Sequence, residues 1–318
     1  MTTVGVTNSE YQTITERAGL VDRSQRGKLA LSGPEAKPFL QGQVSNDVES
    51  LTPGQGCYAA FLTPKGKMLG DLRILDAGGE LLLDTERVAL QELFNMIRRF
   101  SIGYQVELHK RTLERGLLSL VGPASATVAS ASALPEAEHA HLLVSVGELQ
   151  ARAIRTDVGV DVLCDATDVE PLAAALQDAG ATPVDEDVVE CLRVERGRPR
   201  YGIDLDDTVI PQEAGLNQRA VSFTKGCYVG QETVARLHYR GKPNRLLRGL
   251  RLSAPAAHGE EVTIDGKGVG QLRSVAVSPR LGPIALAFVR REVPTGATVV
   301  VGADSGGVVA EVVELPFS

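Results

Sequence analysis

The chain has 318 residues, 43% hydrophobic and 23% charged, and its 33 Lys+Arg against 40 Asp+Glu give a formal charge of −7. That length suits two or three domains, and the acidic total excludes a general nucleic-acid coat protein, whose affinity rests on many cationic contacts. No stretch approaches the roughly 18 apolar residues of a membrane span, and residues 1–10 show neither the basic nor the apolar region of a secretory signal.

Residues 28–31 have the apolar bias of a short strand, and Ser32-Gly33-Pro34 reads as a helix start, with proline near the first helical position. Residues 57–62 and 68–75 predict two strands joined by Thr63-Pro64-Lys65-Gly66-Lys67, a link of hairpin length. Residues 81–83 form another strand candidate. Asp84 and Thr85 are then placed to cap a helix running to about Arg99, with Leu90, Leu93, Phe94 and Ile97 on one face. Residues 117–121 and 141–146 read as buried strands, and the Ala- and Ser-rich residues 125–140 as a helix with a loose connection. Residues 168–179 predict a helix ended by Gly180. A clearer helix follows, with Asp185, Glu186 and Asp187 in its first turn and Gly197 and Pro199 stopping it. From about Leu246 the helical period disappears. Turns at Asp265-Gly266, Ser278-Pro279, Gly282-Pro283, Pro294-Thr295-Gly296 and Ser305-Gly306-Gly307 separate strands, two of them β-branched runs at Thr298–Val301 and Val308–Val313. This predicts an α+β body over residues 1–243 and a small closed antiparallel β-barrel over residues 244–318.

The four cysteines, at 57, 164, 191 and 227, form no C-x-x-C pair, which suits a cytoplasmic protein with free thiols and no metal site. Only eight residues are lysine, and Lys65, Lys67 and Lys225 fall in two short loops. The most informative segment is Thr224-Lys225-Gly226-Cys227-Tyr228-Val229-Gly230-Gln231-Glu232. Gly230, Val234 and Leu237 fit one side of a helix continuing to about His238, so Cys227 lies at or just before a helix N-terminus. Positive charge there, with Lys225 nearby, favours thiolate; the alternative is a small buried hydrophobe. His238 cannot be its base, because a continuous helix would separate the two by roughly 16 Å. No G-x-S-x-G elbow, Walker loop or H-E-x-x-H occurs, and Gly266-Lys267-Gly268-Val269-Gly270 lacks dinucleotide spacing.

Three further candidates stand out. Glu195, in Arg193-Val194-Glu195-Arg196-Gly197, falls in the last turn of its helix, where the dipole disfavours an anion. It either serves a ligand or pairs with Arg193, Arg196 or Arg198. Asp71 is an acid in a strand that otherwise reads apolar, so it requires a partner or solvent. The basic run Arg236, Arg240, Lys242, Arg245, Arg248 and Arg251, interleaved with His238 and Tyr239, is able to hold a polyanion or else balances Asp204, Asp206 and Asp207.

The octapeptide from Lys225 to Glu232 resembles the signature of the YgfZ-type folate-binding proteins, relatives of the glycine-cleavage T-protein, an aminomethyltransferase. Ordered matches run nearly the whole chain: Gly27-Lys28-Leu29, Phe39-Leu40-Gln41-Gly42-Gln43 and Asn46-Asp47, then Phe61-Leu62-Thr63-Pro64-Lys65-Gly66-Lys67. Arg193 through Gly197, Tyr201-Gly202, Ile210-Pro211-Gln212-Glu213, Ser278-Pro279 and Ile284-Ala285-Leu286-Ala287-Phe288-Val289 follow. The resemblance implies a ring of domains around a central channel, the body being two interleaved subdomains, with tetrahydrofolate or a one-carbon derivative in the channel. It implies folate contacts from Glu195, Arg193, Lys225, Tyr228 and Gln231, Glu195 aligning with the carboxylate that holds the pterin, whose amide N–H and amino group a carboxylate accepts side by side. Asp71 falls at the second acid of the T-protein's paired-acid strand, and Cys227 stands where that enzyme has Asp. The first acid of the pair is Gly70 here. These departures point to the YgfZ branch: a cytoplasmic accessory factor for iron–sulfur client proteins, affecting tRNA modification, with Cys227 as its functional thiol and no membrane partner; in a transferase, Asp71 is the catalytic side chain that positions or deprotonates the amine, and Cys227 is incidental. The alternatives are a folate-dependent one-carbon transferase and an RNA-binding scaffold making weak tRNA contact through Arg236 to Arg251.

Overall fold

A computed structural model describes residues 7–302 and 306–318. In chain order its elements are α1 (Asn8–Glu16), β1 (Gly19–Asp22), β2 (Gly27–Ser32), α2 (Ala36–Gln41), β3 (Gly56–Leu62), β4 (Met68–Asp76), β5 (Glu80–Thr85), α3 (Leu90–Phe100), β6 (Glu107–Lys110) and β7 (Arg115–Val121). There follow α4 (Ser125–Val128), β8 (His141–Val146), β9 (Leu149–Arg155), β10 (Gly159–Asp165), α5 (Val169–Asp178), β11 (Thr182–Pro183), α6 (Glu186–Glu195), α7 (Asn217–Ala220) and α8 (Gln231–Arg240). The tail holds β12 (Arg245–Leu252), β13 (Glu261–Ile264), β14 (Lys267–Ser278), β15 (Gly282–Arg290), β16 (Thr298–Val301) and β17 (Val308–Val313).

Alternation along the strands decides how the body is assembled. On β4, Leu72 and Ile74 join a core built with Phe39 and Leu40 of α2 and Leu93 and Ile97 of α3. The intervening Arg73 points to the other face of the five-stranded sheet β3-β4-β5-β2-β6. On β10, Val160 and Val162 pack with Leu172 and Leu176 of α5, leaving Asp161 on the opposite face of the six-stranded sheet β11-β1-β7-β10-β9-β8. The two inner faces meet. Arg73 reaches Asp161 at 2.7 Å and Asp84 of β5 at 2.8 Å, and Ser119 of β7 donates to Asp161 at 2.7 Å. Leucines 75, 82, 117 and 163 line the apolar part of this junction. The body is therefore two sheets face to face, with α2 and α3 outside one and α5 outside the other, while α1 and α6 pack beside the junction on Val21 and Val121 of the inner face.

The strands β12-β15-β14-β13-β16-β17 close into a six-stranded antiparallel barrel, as the tail composition predicts. On β15, Ala285, Ala287 and Val289 fill the barrel, while Ile284, Leu286 and Phe288 pack outward on Val194, Leu205, Tyr228 and Val234 of the body.

Several expectations need correction. Asp84 and Thr85 do not cap α3; they end β5, where Asp84 is bound by Arg26 and Arg73 and Thr85 donates to the carbonyl of Asp71. The helix begins five residues later, after Ala89. Of residues 125–140 only Ser125–Val128 is helical, the rest being turns, with His139 at φ 71°. Helix α1, capped by Thr7, whose side chain accepts from the Glu10 amide, and strands β9 and β10 were not foreseen. Ser305 of the predicted last turn, and residues 1–6 of the stretch tested for a signal, lie outside the described residues.

Candidate active site

Where the two sheets part, they leave a cavity of about 230 Å³ against α6 and the chain that follows it. Asp71 opens onto it from β4 and Tyr58 from β3; Arg193 and Arg196 of the α6 end, Tyr201 and Arg219 stand among its other walls. Neighbouring register places Ala60 opposite Asp71 and Tyr58 opposite Arg73, so Tyr58 sits diagonally across from the acid. Its phenol donates to Asp71 Oδ2 at 2.6 Å, and the Arg219 guanidinium lies over its ring at 5.0 Å.

Charge in this cavity is almost wholly paired. Asp84 and Glu86 hold Arg26, Asp161 holds Arg73, Glu138 holds Arg219, Asp157 holds Arg198 and Glu190 holds Arg193 and Arg200. Asp71 is the exception among the acids, and Arg196 among the arginines: among the described residues no cation lies within ion-pair distance of the Asp71 carboxylate. Burial pushes its carboxyl up to about 6, against the lowering effect of the Tyr58 hydrogen bond. Asp84 shows the contrast. Burial alone would raise it, but Arg26 and Arg73 outweigh that and hold it below the ordinary value.

Gly70, beside Asp71, points into the helix-side core. A Cβ there would stand 2.5 Å from the Phe61 ring and 2.9 Å from Ala89 Cβ, so the strand has no room for a second acid.

Residues 2–225 match the GCVT N-terminal domain, and residues 245–318 match the glycine cleavage T-protein C-terminal barrel domain. The chain belongs to the glycine cleavage T-protein family. It is 31% identical to an aminomethyltransferase of Rubrobacter xylanophilus over 97% of its own length and 85% of that protein. It is 33% identical to a chloroplastic protein of Arabidopsis thaliana, named as a candidate transferase, over 92% of this chain and 70% of that one. The fold matches the crystal structure of the glycine cleavage system aminomethyltransferase T from Bartonella henselae with a TM-score of 0.86, at 24% identity, covering 98% of this chain and 89% of the other.

Within this T-protein fold, the side chains singled out from sequence separate into three places. Asp71 and Arg193 line the cavity, Arg193 being anchored to Asp204 at 2.8 Å and to Ser274 of the barrel at 2.6 Å. Glu195 does not line it. The residue is 3% exposed, and its carboxylate accepts from Tyr11 of α1 at 2.8 and 3.0 Å and from Ser278 of the barrel, with Arg280 at 3.7 Å. Its backbone is clasped as well: the Phe317 amide donates to the Glu195 carbonyl at 2.9 Å, and Gly197, at φ 63°, lies under Leu315.

The third place is the signature loop. Lys225 turns inward, donating to the carbonyls of Gln41, Val44 and Asn46, the last two at 2.7 and 2.9 Å, and lies 5.0 Å from the Tyr228 ring centroid. Burial pushes its ammonium down to about 8. Tyr228 is buried, and Gln231 is the first residue of α8. Helix α8 begins after Gly230, whose φ of 84° and approach of 2.5 Å from a Cβ position to the Thr63 carbonyl leave no place for a side chain. Cys227 thus lies before the cap rather than on the helix, and it is exposed. Burial pushes Cys57 and Cys191 up to about 12 and Cys164 to about 11. The basic run is divided. Arg245, Arg248 and Arg251 on β12 are bound to Glu213, Glu314 and the Ser318 carbonyl, whereas Arg236, Arg240 and Lys242 are exposed on and after α8. Tyr58 escaped sequence reading, and Tyr201 entered it only as part of a matched motif; an aromatic beside the acid strand in a chain only 4% aromatic was the available signal. Among the described residues no helix is long and apolar enough to cross a membrane.

Proposed function

We propose that the central cavity binds a reduced folate, tetrahydrofolate or a one-carbon derivative, and that Asp71 is the acid–base group of a one-carbon transfer of the aminomethyltransferase kind. The observation that carries this reading is the unpaired, buried Asp71 carboxylate, set near neutral protonation among acids that are all neutralised by arginine. A general acid or base works best with a pKa close to the working pH. The cavity residues fit a folate: an acceptor for ring N–H groups at Asp71, the tyrosines 58 and 201 beside it, and a cation at Arg196 for an anionic tail. Bound folate supplies the nitrogen that carries the one-carbon unit. Tyr58 fixes Asp71 through Oδ2, which leaves Oδ1 to take up or release a proton, and Arg219 over the Tyr58 ring restricts the phenol to that orientation. Glu195, with its oxygens already engaged by Tyr11 and Ser278, supports the site by fixing the end of α6 that carries Arg193 and Arg196.

Two observations favour a second use of the same folate site. The strand cannot hold a paired acid at Gly70, and Cys227 is the one exposed thiol of the four. They support the YgfZ-type reading, an accessory factor in which Cys227 acts toward iron–sulfur clients and Arg236, Arg240 and Lys242 provide any contact with tRNA.

One set of measurements separates these. Calorimetric titration should show tetrahydrofolate binding, and a panel of aminomethyl and N-methyl donors should give multiple turnovers that Asp71→Asn lowers about 10²- to 10⁴-fold while folate still binds. Binding without turnover, together with failure of Cys227→Ser to restore iron–sulfur enzyme activity in a deletion strain, selects the accessory role. Absence of folate binding overturns both.

A further inference from the structure

Asp71 stays without a cation although arginines line the same cavity. The groups that face it are Tyr58 of β3, Asp84 of β5 and Glu86 just after it, Arg26 of the turn after β1, and Tyr201 of the chain after α6. Arg26 is held by Asp84 and Glu86, Arg73 by Asp84 and Asp161, and Arg200 by Glu86, Glu186 and Glu190. Each of these guanidiniums keeps an acid if one is lost, and Arg196, which has none, is exposed at the end of α6. Arg219 is placed differently. It lies 5.0 Å from the centroid of the Tyr58 ring, whose phenol donates to Asp71. Among the described residues one carboxylate holds it, that of Glu138 at 2.5 Å.

Glu138 reaches the cavity from the turns between α4 and β8. It precedes His139, whose φ of 71° puts a non-glycine residue in the left-handed region, a conformation that persists where surrounding contacts impose it. The His139 amide donates to the Arg155 carbonyl at 2.9 Å, and the Glu138 carboxylate meets Arg219, with His139 Nε2 at 3.7 Å and Arg198 at 3.8 Å. Burial raises the Glu138 carboxyl, but Arg219, His139 and Arg198 outweigh it and hold the group below its ordinary value, so it is ionised.

We propose that Glu138 is a positioning residue of the Asp71 site: by engaging Arg219 it holds that guanidinium on the Tyr58 ring and off the Asp71 carboxylate. This rests on the acid–base reading of Asp71 and deepens it. A released guanidinium is drawn to a nearby uncompensated anion, and Asp71 is the unpaired acid on the other side of the phenol. Pairing would make Asp71 a structural acid of the Asp84 kind, no longer poised near neutral pH. A salt bridge that merely fastens the loop to α7 has no such effect, since its loss lowers stability and leaves the Asp71 proton where it was.

The test is a 13C NMR titration of the Asp71 carboxyl in the full chain, its signal assigned by its absence in Asp71→Asn. The midpoint is expected at about 6 in the unaltered protein and at about 4–5 in Glu138→Gln. Combining Glu138→Gln with Arg219→Gln is expected to return it to about 6 or higher, because the intruding cation is gone. A midpoint unmoved by Glu138→Gln overturns the proposal, as does a fall that persists in the double variant. Arg219→Gln alone is expected to hold the midpoint at or above about 6; a fall there overturns the proposal even if the Glu138 variant does not fold. The acid–base reading fails separately, if Asp71→Asn leaves one-carbon turnover intact.

Discussion

Asp71 is held in surroundings that disfavour its own charge. Its ordinary value is 3.8 and burial in the fold pushes it to about 6. The folded chain therefore binds this proton more tightly than the unfolded chain does, so stability falls as pH rises through that window. The destabilisation is absent below the unfolded value and complete above about pH 6. Asp71→Asn keeps the shape and removes the charge. It is expected to stabilise the protein by about 1–3 kcal/mol at pH 7.5, with the gain vanishing near pH 4. Urea unfolding of both proteins at the two pH values checks this. A destabilised variant at pH 7.5 would place Asp71 with the structural acids, such as Asp84, whose arginine neighbours hold it low and whose stabilising contribution is lost only as pH falls through that depressed value.

At the scale of elements, Lys225 binds two segments that share no strand or helix. Its ammonium closes the signature loop onto the end of α2 and the backbone that follows it through three carbonyls. Lys225→Met would leave those acceptors without a donor, at a cost of about 2–3 kcal/mol, and free the loop that carries Cys227. Faster alkylation of Cys227 by iodoacetamide, alongside a lower unfolding midpoint, is the expected pair of results; an unchanged alkylation rate would show that the loop is held by other contacts. This arrangement also shows what sequence can reveal. Periodicity made β3, β4, β5, α6 and the β-branched barrel strands visible, since each has one clear apolar face or a fully buried run. It missed β10, where Asp161 interrupts a buried run, and α1, whose polar face outweighs Ile14. Asp71 was identifiable because an acid in an apolar strand requires a reason. That Lys225 turns from the thiol toward three carbonyls, or that Glu195 meets Tyr11 and Ser278, depends on residues distant in sequence, and no local pattern encodes it.

At the scale of the whole molecule, the two sheets are joined through a charged hub rather than a continuous apolar layer. Arg73 lies between Asp84 and Asp161 and is itself buried. Removing only the cation leaves Asp161 with Ser119 but no cation and Asp84 with Arg26 alone, and Arg73→Met is expected to cost about 3–5 kcal/mol. Adding Asp161→Asn should recover part of that loss, a non-additivity measurable by thermal unfolding of the single and double variants. Additive losses would mean that the sheets are held by their leucines alone. The clasp on α6 has a different kind of consequence. The helix end that presents Arg193 and Arg196 is fixed from β14 by Ser278 and from the segment after β17 by Leu315 and Phe317. On the ribosome these residues are joined to the chain long after α6 has emerged. Both sheets can form early, but the wall bearing the two arginines stays unfastened until the barrel has closed, so ligand capture is delayed until synthesis has passed the barrel.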